Sequence, residues 1–393
     1  MTALVRDDAA LMSTYPASAV RFVRGVGTRL FDEEGRSYLD FLSGIAVTSL
    51  GHCNPAVREA LVAQSEKLWH VSNLFSNELS GRLAGELDEL VTGGSGERGQ
   101  VFFANSGAEA NECALKLVRR AAGPRRHVVV SALGSFHGRT LATLHATGQP
   151  AKHAPFQPLP EGFTHVPYGD VAALADAAED RGVGAVFLDA IQGEGGVVPA
   201  PPGYLRDVRA LCDEGGILLV LDEVQTGLGR TGDWFAFQHD EISPDIVTVA
   251  KALGNGMPIG ACWARTHVAK AFVPGDHGST FGGQPLACSA ALATLSELRR
   301  IGAPDRARAL GKRLCDGLAT LSRVASVRGR GLLLGAVLAK PFSGRANEVV
   351  SQALSAGLVL NAPTPDVIRF APPLTVSHDE IDEALDLLEG VFS

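Results

Sequence analysis

Two short apolar runs in this chain each stop at a single charged group of a kind that does chemistry. One reads Ile217-Leu-Leu-Val-Leu-Asp222 and the other Ile246-Val-Thr-Val-Ala-Lys251. Buried strands of a parallel sheet read as continuous apolar runs, and open α/β sheets present their ligands at the carboxyl ends of strands. The carboxylate and the amine are therefore expected to converge at one sheet edge. An amine that can bond to an aldehyde, and a carboxylate that can keep a ring nitrogen protonated, are what pyridoxal phosphate asks of a protein. Taken singly, a lysine is a surface cation and an aspartate is a helix cap or turn residue. The pair, with what surrounds it, outweighs that reading.

A third stretch offers an anion site. Phe102-Phe-Ala-Asn-Ser106-Gly107-Ala108-Glu109 reads as a strand running into a helix, with Ser106 and Glu109 at capping-box spacing. Such a turn can serve as a helix cap alone. It can also cradle a phosphate with free backbone N–H groups and the helix dipole, which makes Ser106, Gly107 and Ala108 candidates. Arg369 stands between Ile368 and Phe370, an apolar setting in which a solvated surface cation is the less natural reading.

These groups need a scaffold, and the rest of the chain describes one. With 393 residues, the chain is long enough for two or three packed subdomains. Hydrophobic residues make up 46% and charged residues 20%, the balance of an ordinary globular protein. A net charge of −8 and the lack of a basic stripe argue against nucleic acid as a partner. Six scattered cysteines without CxxC spacing argue against structural zinc and for reduced thiols in a cytoplasm, so no metal site is expected. Arg6, Asp7 and Asp8 precede any long apolar stretch, so neither a secretory leader nor a membrane span is expected.

From about 55 to 310, apolar runs alternate with helical stretches, which implies a mostly parallel sheet covered by helices. Tyr38 to Leu42, Val324 to Leu338 and Val367 to Phe370 read as strands outside that unit. Pro285 to Ile301 reads as a long helix, and Ser377 with Glu380 caps a final helix ending at Phe392. Gly329-Arg-Gly331-Leu-Leu-Leu-Gly335 has the wrong spacing for a dinucleotide fingerprint and precedes a strand.

Six segments carry a resemblance: NSGAEANE (Asn105 to Glu112), SFHGRT (Ser135 to Thr140), QGEGGV (Gln192 to Val197), LDEVQTGLGRTG (Leu221 to Gly232), KALGNGMPIGA (Lys251 to Ala261) and HGSTFGGQP (His277 to Pro285). In this order, with GIAVTSLGH (Gly44 to His52) and VIRFAPPL (Val367 to Leu374), the chain resembles the class III, ornithine-type pyridoxal phosphate aminotransferases. The resemblance runs from about Leu30 to Phe370. It implies an α/β fold-type I transferase. The large domain (55–310) would carry the sheet, and a small α+β domain would form from residues 1–54 and 311–393. It implies transfer of the δ-amino group of N2-acetylornithine to 2-oxoglutarate, a step of arginine synthesis. Succinylornithine, succinyldiaminopimelate, ornithine and 4-aminobutyrate stand as alternative donors.

The resemblance also implies roles for residues. Lys251 would hold the cofactor covalently and move the proton, and Asp222 would pair with the ring nitrogen. Phe136 would stack on the ring face and Gln225 would sit near the ring hydroxyl, with Glu223 and Val224 also among the cofactor-binding residues, while Ser106, Gly107 and Ala108 would take the phosphate. Thr280 would contact the phosphate of the partner subunit, so that a homodimer shares its active sites. Arg139, Ser279 and Arg369 would bind substrate. Glu194 would pair with Arg369 and swing aside for 2-oxoglutarate. Three positions depart from the family pattern. Asp189-Ala190-Ile191-Gln192 replaces the usual Glu-Pro-Ile-Gln, Gln284 replaces a common asparagine, and Ser72 to Ser76 lacks a common tyrosine.

Overall fold

The computed structural model describes residues 10–16 and 19–393; Arg6, Asp7 and Asp8 lie outside them. Its centre is a seven-stranded sheet in the order Gly99–Ala104, Gly260–Arg265, Ile246–Val249, Leu218–Asp222, Val183–Asp189, Val128–Ala132 and Phe163–Val166. The strands from Ile246–Val249 to Phe163–Val166 are mutually parallel. Gly260–Arg265 runs antiparallel to both of its neighbours. The sheet is therefore mostly parallel, as its near-continuous apolar strands require.

Both faces are covered, which is why those strands carry almost no polar residue before their last position. Val186, Phe187, Leu219, Leu221, Ile246 and Val247 are buried to within 1%. Each such side chain contributes on the order of 1.5–3 kcal/mol by leaving water. The strands that end at Asp222 and lead into Lys251 are thus held on two sides. Register places Asp222 beside Asp189 on one flank and beside Thr248 on the other.

The two chain ends share their own sheets. Phe22–Val26, Arg29–Asp32 and Ser37–Asp40 pair in sequence, and Leu358–Val359 adds in parallel to Ser37–Asp40. Val324–Arg330, Leu333–Leu338, Val367–Phe370 and Asn361–Thr364 form a second, antiparallel sheet. Gly329 and Gly331 belong to its first hairpin and the turn that follows, which explains the glycines without any nucleotide. Asn54 caps the helix Pro55–Ser65, so the division expected at 54 coincides with a helix start. Position 310 lies inside the helix Ala303–Thr320, and the chain turns instead at Gly302, with a φ of 62°. The final helix His378–Phe392 carries the reciprocal Ser377–Glu380 capping box.

Candidate active site

The carboxyl ends of the central strands open onto a cavity of about 460 Å³. Its lining includes Ser106, Gly107, Ala108, Phe136, Arg139, Glu194, Asp222, Val224, Gln225 and Lys251. Ten residues expected from five separate segments therefore meet in one place.

One end of the cavity is the start of the 16-residue helix Gly107–Ala122. Ser106 Oγ accepts the Glu109 amide at 3.2 Å, whereas Glu109 Oε2 reaches Asn105 N at 2.6 Å. The capping box is thus shifted by one residue on its return arm. The amides of Gly107 and Ala108 sit in the first turn, where no helical acceptor exists, and the dipole favours an anion there. A Cβ on Gly107 would stand 2.8 Å from Val224 Cγ1. Glycine is needed here so that Val224 can pack over the turn and still line the cavity.

Asp222 is buried (4% exposed) and held by three donors. Asn111 Nδ2 and His137 Nδ1 lie 2.8 and 2.9 Å from Oδ2, and the Val224 amide donates to Oδ1 at 3.0 Å. Hydrogen bonds to the ionised form keep a carboxylate charged. Burial alone would depress the pKa of His137, but the Asp189 and Asp222 carboxylates outweigh it and raise it. Ligand atoms of His137, Asp189 and Asp222 lie within 4.8 Å of one another, yet the His137–Asp222 contact is a direct hydrogen bond.

Lys251 follows its strand at a φ of 39°, a left-handed conformation that a non-glycine residue adopts only at a cost. Burial and the Arg369 guanidinium lower its pKa to about 8. A neutral amine, the nucleophilic form, is therefore within reach near neutral pH.

The opposite wall carries a buried guanidinium. Arg369 is wholly buried; its Nη1 meets Glu194 Oε1 at 2.6 Å and Gln225 Oε1 at 3.4 Å, and its Nε meets Asn361 Oδ1 at 3.1 Å. Arg369 Nη2 is buried with no partner. Burial works against the Glu194 carboxylate, but Arg369 outweighs it and holds the pKa below the usual carboxylate range. Arg139 is exposed at the mouth, its guanidinium carbon 5.6 Å from the Phe136 ring centroid.

Three expected residues lie elsewhere. Glu223 turns into the core, where it accepts from the Thr226 hydroxyl and from Phe237 N at 3.0 Å, and burial pushes its pKa up to about 7. It is a structural carboxyl and not a lining residue, because strand alternation sends it to the face opposite its neighbours. Ser279 accepts from Gly282 N and from Asn105 Nδ2, outside the lining. Thr280 is exposed and also stands away from this chain's own cavity. Conversely, Asn111 and His137 carry Asp222 although no role was read for them. Both fall inside the quoted segments NSGAEANE and SFHGRT, and Asn111 lies one helical turn after Gly107.

A family model described as "Aminotransferase class-III" matches residues 13–392. The chain belongs to the class-III aminotransferases. It is 48% identical over 391 residues to the acetylornithine aminotransferase of Caldanaerobacter subterraneus, covering 98% of this chain and 97% of that one. It is 50% identical over 389 residues to the acetylornithine aminotransferase of Mycobacterium tuberculosis, covering 98% and 95%. Among solved structures it is similar to the ornithine aminotransferase from Toxoplasma gondii, with a TM-score of 0.91 and 36% identity over 97% of this chain and 92% of that one. The N-acetylornithine aminotransferase from Stenotrophomonas maltophilia gives a TM-score of 0.83 and 40% identity, covering 95% of each chain.

This class-III aminotransferase has the fold-type I architecture, and its cofactor is pyridoxal 5'-phosphate. The cavity fits that group on its own chemistry. It offers a helix N-terminus for a phosphate, a buried carboxylate for a ring nitrogen, a lysine amine for an aldehyde, and the apolar side chains of Phe136 and Val224 in its lining for contact with a ring.

Proposed function

We propose that the protein moves the δ-amino group of N2-acetyl-L-ornithine to 2-oxoglutarate, giving N-acetyl-L-glutamate 5-semialdehyde and L-glutamate in arginine synthesis. The observation that carries this reading is the Glu194–Arg369 pair at 2.6 Å, with Arg369 Nη2 left unpartnered beside Lys251. A terminal amino donor has no carboxylate on its reacting carbon, so Arg369 must be neutralised while that donor is bound. 2-Oxoglutarate does carry one there, and it then needs the same guanidinium in a bidentate grip. A mobile acid paired with a buried arginine meets both demands in one cavity.

Bound pyridoxal phosphate supplies a carbonyl that takes up the amino group and a ring that draws electrons from the reacting carbon. The protein's own groups do the rest. Ser106, Gly107 and Ala108 hold the phosphate at the helix start, and Phe136 and Val224 fix the ring plane. Asp222 holds the ring nitrogen protonated. Lys251 Nζ binds the cofactor at rest and carries the proton from and to the reacting carbon. Gln225 sits beside both Arg369 and Gly193, where a Cβ on that glycine would stand 1.9 Å from its Oε1. Arg139 at the mouth binds the donor's far carboxylate.

The working unit in this reading is a homodimer in which Thr280 completes the partner's phosphate site. Two features support it. Thr280 is exposed beside the exposed Phe281 (66%), and the loop from Trp69 (63%) to Leu74 (87%) and Phe75 (68%) also exposes apolar side chains. Asn73 ties the two loops together through Ser279 O and Gly282 O. All six cysteines are free, which fits a cytoplasmic setting. No helix among the described residues is long and apolar enough to cross a membrane.

The test is a donor panel at equal concentration: N2-acetylornithine, succinylornithine, succinyldiaminopimelate, ornithine and 4-aminobutyrate, each with 2-oxoglutarate. The highest kcat/KM is expected for acetylornithine. A higher value for any other donor would overturn the substrate while leaving the reaction class standing.

A further inference from the structure

One buried carboxylate at the site has no task in the chemistry above. Asp189 ends the strand Val183–Asp189 and pairs in register with Asp222 of the neighbouring parallel strand. In-register residues of parallel strands project from the same face, so both acids reach the edge where the cofactor ring is to lie. His137 stands with them, stacked on Phe187 with ring centroids 4.0 Å apart and planes 15° apart. Its Nδ1 is 2.9 Å from Asp222 Oδ2, and its Nε2 is 4.0 Å from Asp189 Oδ2. His137 Nε2 and Asp189 Oδ2 are both buried, and neither has a hydrogen-bond partner. Two buried, complementary atoms without hydrogen-bond partners are costly unless one of them carries a charge that the other offsets.

We propose that Asp189 is a positioning residue whose carboxylate, 4.0 Å from His137 Nε2, holds the proton on that nitrogen by charge and thereby fixes the imidazole with its Nδ1–H donated to Asp222. At 4.0 Å the two atoms attract by charge, and no bond forms or breaks. The consequence reaches the cofactor through Asp222. With Nδ1–H always donated, and with Asn111 Nδ2 donating 2.8 Å away, Asp222 Oδ2 is held by two donors on the side away from its task at the ring nitrogen.

The surroundings agree with this arrangement. Burial pushes the Asp189 pKa up to about 7, with Asp222 adding to the rise and His137 and Lys251 opposing it. The Phe136 amide donates to the Asp189 carboxyl. Tyr168, whose phenol burial raises further, gives its hydroxyl to the backbone oxygens of Asp189 and Ala190 at 2.9 and 3.0 Å. Lys251 and Asp222 are thus the remaining charged groups acting on the pair. The usual family residue at position 189 is the longer glutamate, so the conservative variant is also informative.

The inference rests on the assignment of Asp222 to the ring nitrogen, and the test separates the two. Cofactor-loaded protein carrying 15N-labelled histidine is titrated from pH 5 to 9 by NMR as wild type, Asp189→Asn and Asp189→Glu, and the cofactor absorbance is followed in parallel. In the wild type, His137 Nε2 is expected to keep its proton above the pH at which a free imidazole, near 6.5, has lost it. Asp189→Asn is expected to lower that proton affinity about tenfold or more, a shift of about one pH unit. It should move the pH midpoint of the absorbance in the same direction and slow each half-reaction without changing donor KM. Asp189→Glu is expected to restore all three. A wild-type Nε2 without a proton throughout the range overturns the proposal, as does an Asp189→Asn titration that matches wild type. A moved His137 titration with an unmoved cofactor spectrum overturns the link to Asp222. A wild type that binds no pyridoxal phosphate would instead overturn the cofactor reading.

Discussion

At the scale of single residues, the site works by setting protonation states through burial and neighbours. The Lys251 pKa of about 8 yields a pH dependence with a definite sign. Only the neutral amine attacks an aldehyde, so covalent capture of added pyridoxal phosphate by cofactor-free protein should quicken as pH rises through about 8. Below that pH the gain should approach tenfold per unit, and above it the rate should level off. Stopped-flow absorbance from pH 6 to 10 checks this, and a flat profile would remove the argument. Lys251→Ala should show no borohydride-fixed cofactor at any pH while keeping its fold.

Glu194 governs the other side of the cavity. Replacing it with alanine leaves the Arg369 guanidinium without its 2.6 Å partner. Glu194→Ala should therefore saturate with glutamate at lower concentration, by roughly tenfold for a charge pair worth about 1.4 kcal/mol. The half-reaction with acetylornithine should slow. Single-turnover spectroscopy of each half separates the two outcomes, and equal slowing of both would make Glu194 a structural acid.

At the scale of elements, the site depends on backbone that the residues alone would not choose. Ser43, Gly44, Ile45 and Ala46 all have φ between 53° and 67°, a left-handed turn that opens onto Val47 in the cavity wall. Left-handed residues other than glycine cost roughly 1–2 kcal/mol each. Asp40 stabilises the turn, with Oδ1 accepting from Leu42 N at 2.9 Å and Ser43 N at 2.8 Å. Its Oδ2 meets His52 Nε2 at 2.7 Å. Asp40→Ala leaves these donors unsatisfied at a site that is 1% exposed. A loss of about 2–4 kcal/mol is expected, since each buried unsatisfied group costs about 1–3 kcal/mol. Urea unfolding gives the stability directly, and a donor KM that rises together with the loss would tie the turn to the cavity. A change within experimental scatter would show that the turn needs no such anchor.

At the scale of the whole molecule, the proposed dimer would complete each site with a residue of the partner subunit. Thr280 is absent from the cavity lining and exposed beside the exposed Phe281. Mixing Lys251→Ala with a strongly impaired Thr280→Ala variant should restore activity, because one site of the mixed dimer keeps both groups. Random exchange of equal amounts makes half of all dimers mixed, so recovery near a quarter of wild-type activity is the expected ceiling, by the arithmetic of closed twofold assemblies. No recovery after subunit exchange is verified by mass would count against sharing in trans.

The sequence by itself determined the class of fold and brought forward residues that line one cavity. Apolar runs ending at Asp222 and Lys251 are local facts, and a parallel sheet gathers its strand ends at one edge whatever the loops do. Ser106, Gly107 and Ala108 were legible for the same reason, since a strand-to-helix turn is written in consecutive residues. Tertiary structure alone decided which groups act together. Asp189 and Asp222 are far apart in the chain and become neighbours only through strand register. His137 and Asn111 gain their meaning from the 2.9 and 2.8 Å contacts with Asp222, and Glu223 loses its expected place by pointing into the core. Such pairings follow from register, burial and dielectric, which are properties of the packed molecule and have no signature in residue spacing.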